Sequence, residues 1–294
     1  MRPAWLLTSL CVVRLLVASA PASADDALWT RLTRDGAFKQ RPVWSADGSL
    51  LVFARHSGSQ ICLFRRDLSK NSEERLTTSA DPEYDAVFTP DGNSLLFSFD
   101  KTSPNQGDIE VYRLLLADRS LTPLATTTKG LSHEEWPSVS PDGKRFAFSS
   151  TRDGQQEIYT APIEGGEWTR LTSDPGIDAH PAWSPDGKSI AFATNRWGDL
   201  EIALIRPDAT GITRLTHSRG LDDYPAWSPD GQRLAWTSNR DGNFEIYVQP
   251  LEGTASNVTK SPALENFPAW TPEGRIGFVS NRDGGFDVYT APTN

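Results

Sequence analysis

Pro181-Ala-Trp-Ser-Pro-Asp-Gly187 is the stretch that decides the fold, because close copies of it recur along the chain. Pro225-Ala-Trp-Ser-Pro-Asp-Gly231 repeats it residue for residue, and Pro268-Ala-Trp-Thr-Pro-Glu-Gly274 differs at two positions. Three more divergent copies come earlier, and the acidic residue of the six copies falls at positions 47, 91, 142, 186, 230 and 273. The steps between them are 44, 51, 44, 44 and 43 residues, a period typical of a solenoid or a propeller.

Each repeat carries the pattern of four short strands and shows no helical period. Ser-Pro-Asp-Gly favours a type I turn after the first strand, because Pro presets φ and Gly closes the turn. The second strand alternates, as in Leu234-Ala-Trp-Thr237, and a second turn follows at Asn239-Arg-Asp-Gly242. The third and fourth strands have the form of Glu201-Ile-Ala203 and Arg214-Leu-Thr216. Four strands in about 44 residues match one propeller blade.

The two ends of the repeat region predict a closed ring. The sixth repeat stops after its third strand, Asp287-Val-Tyr289, while a copy of a fourth strand stands near the other end as Trp29-Thr-Arg-Leu-Thr33. Pairing the two would remove the open edges that a stack leaves. We therefore expect an all-β, six-bladed propeller with four-stranded blades, closed by the N-terminal strand. It should occupy residues 25–294 and leave no second domain.

Residues 1–24 have the features of a signal peptide. A positively charged start precedes an apolar stretch from Leu6 to Val17, and Ala22-Ser-Ala24 reads as a cleavage site. Arg14 interrupts the apolar stretch, which disfavours a retained membrane anchor, the alternative interpretation. We expect a mature chain that begins at Asp25, has no membrane span and is periplasmic or secreted.

Composition limits the classes of partner. The formal net charge is −9, so the chain should repel nucleic acid and anionic membranes and attract cations or a basic surface. Cys62 is the only cysteine after residue 24, so the mature chain is expected to form no intramolecular disulfide. We interpret Cys62 as a core thiol and expect a monomer.

The Trp-Ser-Pro-Asp-Gly turn, the Ser238–Gly242 turn and the Glu245-Ile-Tyr247 strand resemble those of the TolB-like propeller repeats, over about residues 29 to 292. This family includes a periplasmic protein of the Tol–Pal envelope system. The resemblance implies a six-bladed propeller that serves as a non-catalytic binding platform for a protein or peptide partner in the cell envelope. TolB proper has an additional α/β domain before its propeller, which we do not expect here.

The loops that enter the first strands and the turns between second and third strands share one face of a propeller, here called the top face. Three residues before the Pro position of the motif, five of the six repeats have an acid and the first has Lys39. Ring closure should gather these acids around the top mouth of the channel, where crowded carboxylates would recruit a cation or a basic partner. A solvated polar rim is the alternative. The acids are Glu83, Glu134, Asp178, Asp222 and Glu265, with Glu135 and Asp223 one residue further on.

Side chains with rings are expected at the same mouth of the channel in four repeats. The residue directly before the Pro position is Arg41, Asp85, Trp136, His180, Tyr224 or Phe267. Packing between adjacent blades is the alternative to a binding role for these rings.

Three further features point to the top face near blades two to four. Trp197 replaces the acid of the second turn and places an apolar ring at a hairpin tip, as binding hot spots do, although single exposed rings are also common. Insertions within 100–107 and 126–133 lengthen the same region. We predict a partner-binding site on the top face formed by Glu83, Glu134, Glu135, Trp136, Asp178, His180, Trp197, Asp222, Asp223, Tyr224 and Glu265.

The sequence gives little support to an enzyme. It has no G-x-S-x-G nucleophile elbow, and its histidines fall on separate loops without paired metal-ligand spacing: His56, His133, His180 and His217. TolB-like propellers also resemble oligogalacturonate lyases, which use a metal held by several histidines. A carbohydrate-binding or lyase-like propeller that stacks sugars on Trp136, Trp197 and Tyr224 is therefore the alternative function. We expect no catalytic residue and no cofactor, apart from a cation at the acidic channel mouth.

Overall fold

A computed structural model describes residues 29–100, 108–125 and 132–293, and its regular structure there is β-strand. The chain begins with β1 (Thr30–Arg31) and then forms blade 1 from β2 (Lys39–Trp44), β3 (Leu50–Ser57), β4 (Gln60–Asp67) and β5 (Ser72–Arg75). Blade 2 consists of β6 (Glu83–Phe88), β7 (Ser94–Phe99), β8 (Glu110–Leu115) and β9 (Leu121–Ala125). Blade 3 consists of β10 (Glu134–Val139), β11 (Arg145–Ser150), β12 (Glu157–Pro162) and β13 (Thr169–Arg170).

Three more blades follow the same plan. Blade 4 consists of β14 (Asp178–Trp183), β15 (Ile190–Trp197), β16 (Asp199–Ile205) and β17 (Thr213–Arg214). Blade 5 consists of β18 (Asp222–Trp227), β19 (Arg233–Ser238), β20 (Glu245–Pro250) and β21 (Ser256–Asn257). Blade 6 consists of β22 (Glu265–Trp270), β23 (Ile276–Ser280) and β24 (Asp287–Ala291), completed by β1.

The strand order confirms the predicted six-bladed propeller and its closure. Five sheets are antiparallel in chain order, while the sixth has the order β1-β24-β23-β22. Thr30 pairs with Thr290 and Arg31 with Tyr289, so the N-terminal strand is the outer strand of the last blade.

The core lies between the blades, in six clusters that each join two neighbours. One cluster packs Ala147 and Ile158 of blade 3 against Ile190 and Phe192 of blade 4, all fully buried. A cluster of the same kind joins blade 1 to blade 6 and contains Cys62, which is buried as predicted. Ring closure buries one interface between blades more than an open stack would. Because each buried Leu, Ile, Val or Phe contributes roughly 1.5–3 kcal/mol, this extra interface stabilises the closed ring.

The Ser-Pro-Asp-Gly motif forms the predicted turn between first and second strands. Gly187 N–H donates to Ser184 O at 3.0 Å, which closes the turn, and Gly187 has a φ of 72°. Ser184 Oγ donates to Asp186 Oδ1 at 2.7 Å, and the same oxygen accepts from Lys188 N–H at 3.0 Å. The repeated acid therefore stabilises the turn through local hydrogen bonds.

Every first strand contains a bulge at the residue before the Pro position. In blade 3, Glu135 pairs with Ser149 but Ser138 pairs with Ala147, so β10 has one residue more than β11 across this step. A bulge re-aims the side chain it carries. The bulged residues all have a φ between 44° and 57°: Arg41, Asp85, Trp136, His180, Tyr224 and Phe267. Because a non-glycine residue in this region costs on the order of 1–3 kcal/mol, the surrounding blades must impose it.

Candidate functional site

The six bulged residues converge on the propeller axis, and we call them the axial cluster: Arg41, Asp85, Trp136, His180, Tyr224 and Phe267. The Trp136 ring centroid lies 4.2 Å from that of His180, 5.1 Å from that of Tyr224 and 6.4 Å from that of Phe267 in the opposite blade. The rings therefore pack against one another across the axis as well as against neighbouring blades. Phe267 is buried, while the other three rings stay half-buried.

His180 is held in place from several sides. Its ring stacks on Tyr224 at 4.5 Å between centroids, with 28° between the planes. Nδ1 lies 2.5 Å from Asp223 Oδ1, and the main-chain N–H donates to Ser149 Oγ at 3.1 Å. These contacts fix the ring and leave one of its edges for solvent or a partner.

Arg41 crosses the channel from blade 1 towards blade 3. Its guanidinium lies 4.8 Å from the Trp136 ring centroid and donates to Pro137 O at 2.8 Å and to Asp85 O at 3.1 Å. Burial lowers the pKa of Arg41 to about 10, so the group stays cationic at neutral pH. The cluster thus contains a built-in cation against its largest ring.

Asp85 is the buried acid of the cluster, with 5% of its surface exposed. Ser98 Oγ donates to Oδ2 at 3.2 Å, while Arg41 bonds the main-chain oxygen of Asp85. Burial raises the pKa of Asp85 to about 6, although the nearby Arg41 charge partly offsets this.

The five acids expected around the channel mouth form bonds inside the protein. Each is fully buried. In blades 4 to 6 they pair with the arginine of the second turn in the same blade. The pairs are Asp178 with Arg196 at 2.7 Å, Asp222 with Arg240 at 2.7 Å and Glu265 with Arg282 at 2.8 Å. The repeated acid and the repeated arginine thus form internal ion pairs of the blade. Any contribution of these acids to partner binding stays a prediction.

The earlier blades replace this pair by other contacts. Glu83 accepts hydrogen bonds from Leu63 N–H at 3.1 Å and from Thr77. Glu134 accepts from Ser132 and Ser150 hydroxyls, each at 2.8 Å. Burial raises the pKa of Glu134 to about 7.

Two other predicted acids do lie beside the axial cluster. Asp223 contacts His180, and Glu135, whose Oε1 lies 2.9 Å from His133 Nδ1, directly precedes Trp136 in β10. The structure therefore brings together Glu135, Trp136, His180, Asp223 and Tyr224 of the predicted site. Arg41, Asp85 and Phe267 occupy the same position of the repeat but were not part of the predicted site.

Trp197 lies apart from this group. It ends β15, has 39% of its surface exposed, and has the guanidinium carbons of Arg214 and Arg196 at 5.1 and 5.6 Å from its ring. These contacts stay within blade 4. Most of the two predicted insertions, and the predicted signal peptide, lie outside the described residues.

The histidines are dispersed, as expected. His56 packs edge-on against Phe38 in blade 1 with 5.0 Å between centroids, and His217 is exposed. In the three described ranges, no group of three or more His, Cys, Asp or Glu is arranged to hold a metal ion. The described part of the chain also has no helix with the length and apolarity needed to cross a membrane.

Comparison with known families identifies the repeat. Residues 116–222 and 208–294 match the family model of the TolB beta propeller domain. The Tol-Pal system protein TolB of Anaeromyxobacter dehalogenans strain 2CP-C is 31% identical over 120 residues, which is 40% of this chain and 26% of that protein. The match thus spans about a quarter of that relative.

Solved structures show the same fold. TolB from Acinetobacter baumannii aligns with a TM-score of 0.71 at 23% identity, covering 82% of this chain and 59% of that one. An oligogalacturonate lyase in complex with manganese aligns with a TM-score of 0.64 at 15% identity, covering 90% and 92%. At these identities the likeness concerns the fold alone.

Proposed function

Because the chain belongs to the TolB β-propeller family, we propose that it is an exported, non-catalytic platform that binds a protein or peptide partner in the cell envelope. The axial cluster is the observation that carries this proposal. It combines half-buried rings, a cation and acids at the centre of one face, and six bulged residues in a costly backbone conformation hold it. Backbone strain of this kind is found at ligand sites more often than elsewhere.

The repeated polar residues support a scaffold rather than a reaction centre. The acid of the third strand bonds the fourth strand of its own blade, as where Glu157 Oε1 accepts from Arg170 at 2.6 Å and Oε2 from Thr172 at 2.6 Å. Asp241 likewise accepts from the Tyr247 hydroxyl. These groups already have partners inside the blade.

The carbohydrate alternative requires rings with free faces. Trp136 and Tyr224 instead face one another, with 5.1 Å between centroids and 35° between planes, and Trp197 belongs to the rim of blade 4. The three rings proposed for sugar stacking thus form no common platform. This favours a partner whose side chains fit between groups over a flat sugar ring.

A direct test selects ligands for the mature chain, residues 25–294, from a displayed peptide library and from a glycan panel. We expect peptides to bind and Tyr224→Ala to weaken them at least tenfold, with the melting temperature recorded for each variant. Lys188→Ala, on the opposite face beside the Ser184–Gly187 turn, is the control and should bind like the parent chain. Saturable glycan binding without peptide binding would overturn the proposal.

A further inference from the structure

We propose that the axial cluster recognises a basic side chain, lysine or arginine, presented by the partner. The inference rests on the proposed platform function and adds the chemistry of the group that enters the site. It follows from the charges, the open oxygen of one acid and the position of Arg41.

Carboxylates outnumber permanent cations around the cluster. Asp85, Glu135 and Asp223 come from blades 2, 3 and 5, and Arg41 is the cation among them. Burial, and then the charges of Asp223, Asp85 and Glu135, raise the pKa of the Tyr224 hydroxyl. All three acids therefore act on the same part of the channel, where a further positive charge would be stabilised.

Asp85 supplies an acceptor that is already desolvated and still open. It is 5% exposed, and Ser98 bonds Oδ2, whereas Oδ1 accepts no hydrogen bond from any residue of the described ranges. An ammonium or guanidinium would supply the donor that Oδ1 lacks, in a charge-assisted hydrogen bond. This observation is independent of the excess of negative charge.

Arg41 shows that a ring of the axial cluster can pack against an organic cation. Its guanidinium lies 4.8 Å from the Trp136 centroid, within the range of cation–π attraction. It bonds main-chain oxygens of Asp85 and Pro137 and leaves the Asp85 carboxylate aside. A second organic cation can thus bond the Asp85 carboxylate, while the positive charge of Arg41 competes with it for the negative charge of the acids.

The same geometry disfavours a small hard ion. Asp223 and Glu135 are engaged by His180 and His133, and no cluster in the described residues has metal-site geometry. Half-buried rings favour a large, weakly hydrated cation.

The test titrates the mature chain, by calorimetry, with three matched peptides: acetyl-Ala-Lys-Ala-amide, acetyl-Ala-Arg-Ala-amide and the uncharged acetyl-Ala-norleucine-Ala-amide. We expect both basic peptides to bind at least tenfold more tightly than the norleucine peptide. Asp85→Asn should weaken them at least fivefold, and Arg41→Met should tighten them severalfold because it removes the competing charge. Asp199→Asn, an exposed acid on the rim of blade 4, is the control and should change nothing.

Equal binding of the three peptides, or basic-peptide binding that is unaffected by Asp85→Asn, would overturn the inference. Calcium binding with no peptide binding would overturn it as well. If Asp85→Asn does not fold, Glu135→Gln replaces it, with a smaller weakening expected. The platform role is tested separately. It alone is contradicted if the chain binds these peptides with the expected dependences but captures no library peptide. A library peptide that binds without a basic residue contradicts the inference alone.

Discussion

Lys39 Nζ lies 3.0 Å from Asp287 Oδ1, and both side chains are fully buried. Asp287 also accepts hydrogen bonds from Arg31 at 2.6 Å and from Thr33 at 2.7 Å. Burial alone would raise the pKa of Asp287, but the bonds from Thr33, Arg31 and Lys39 hold it at about 2. One carboxylate of the last blade thus binds both the closing strand and the first blade.

Asp287→Asn should therefore loosen the closure. It removes one of the two carboxylates that bond Lys39 Nζ, since Asp35 bonds it as well, so the substitution should cost about 1–3 kcal/mol. Asp283→Asn is the matched control, because Asp283 pairs with the same Arg31 but has 48% of its side chain exposed, so its loss should cost less than about 1 kcal/mol. Urea unfolding of both variants measures the difference, and equal losses would contradict the role of Asp287.

Deletion of residues 25–34 is the stronger test of closure. It removes β1, together with the Trp29 ring that packs 5.3 Å from Phe278, and exposes the edge of β24. An open strand edge promotes association. We expect a lower melting temperature and larger species in size-exclusion chromatography, whereas unchanged melting would show that the ring does not depend on β1.

Stability should also depend on pH in a defined direction. Burial raises the pKa of Glu134 and Glu265 from 4.5 to about 7, and that of Asp85 from 3.8 to about 6. The folded state holds these protons more tightly than the unfolded state, so these groups cost stability as pH rises from about 4.5 to 7. Asp287 acts oppositely: its lowered pKa gives stability above its ordinary value of 3.8 that is lost as pH falls towards 2.

We therefore expect the highest melting temperature near pH 5. Glu134→Gln mimics the protonated acid and should flatten the decline between pH 5 and pH 7 by an amount on the order of 1–3 kcal/mol. Differential scanning calorimetry at several pH values measures this, with the exposed Asp199→Asn as control. Stability that rises steadily from pH 5 to pH 8 would contradict the burial of these acids.

The sequence repeat alone predicts the fold. The turn at Ser184–Gly187, the four strands per blade and the closing strand at Trp29–Thr33 all follow from local chemistry repeated at one period. The ion pair of Asp178 with Arg196 could not be predicted, because the two residues are 18 positions apart and nothing local marks the pair.

Only the repeat position of the axial cluster, and not its geometry, could be predicted from the sequence. The sequence places all six residues at one position of the repeat, but a strand pattern of period two cannot show a bulge of one residue. The bulge turns this position towards the axis, and it does the same for Arg41 and Asp85. The residue types made the rings candidates for binding, whereas the backbone bulge brings all six side chains together.

Processing at the predicted signal is a separate expectation. Residues 1–24 should be removed from the protein in its native host, because a cleavage pattern at Ala22–Ala24 follows the apolar stretch. Mass spectrometry of the purified protein should find Asp25 at the amino terminus. An intact Met1 in a membrane fraction would contradict export with cleavage.

The rim of the top face gives the last prediction. Trp197 is 39% exposed and contacts arginine side chains of its own blade, so Trp197→Ala leaves no core cavity and should not affect folding. If the partner extends from the axial cluster to blade 4, this substitution should weaken binding by about 2 kcal/mol, as a Trp hot spot does. Glu135→Gln, nearer the axis, should mainly slow association and reduce its salt dependence.

Calorimetry and association kinetics at two salt concentrations test both variants against the partner once it is identified. Lys188→Ala is the control, because its side chain is 82% exposed on the opposite face. Normal binding by Trp197→Ala with weakened binding by Glu135→Gln would confine the site to the axis. Loss of binding in Lys188→Ala alone would move it to the opposite face, since a truncated exposed lysine has no other route to a binding defect in a chain that still folds.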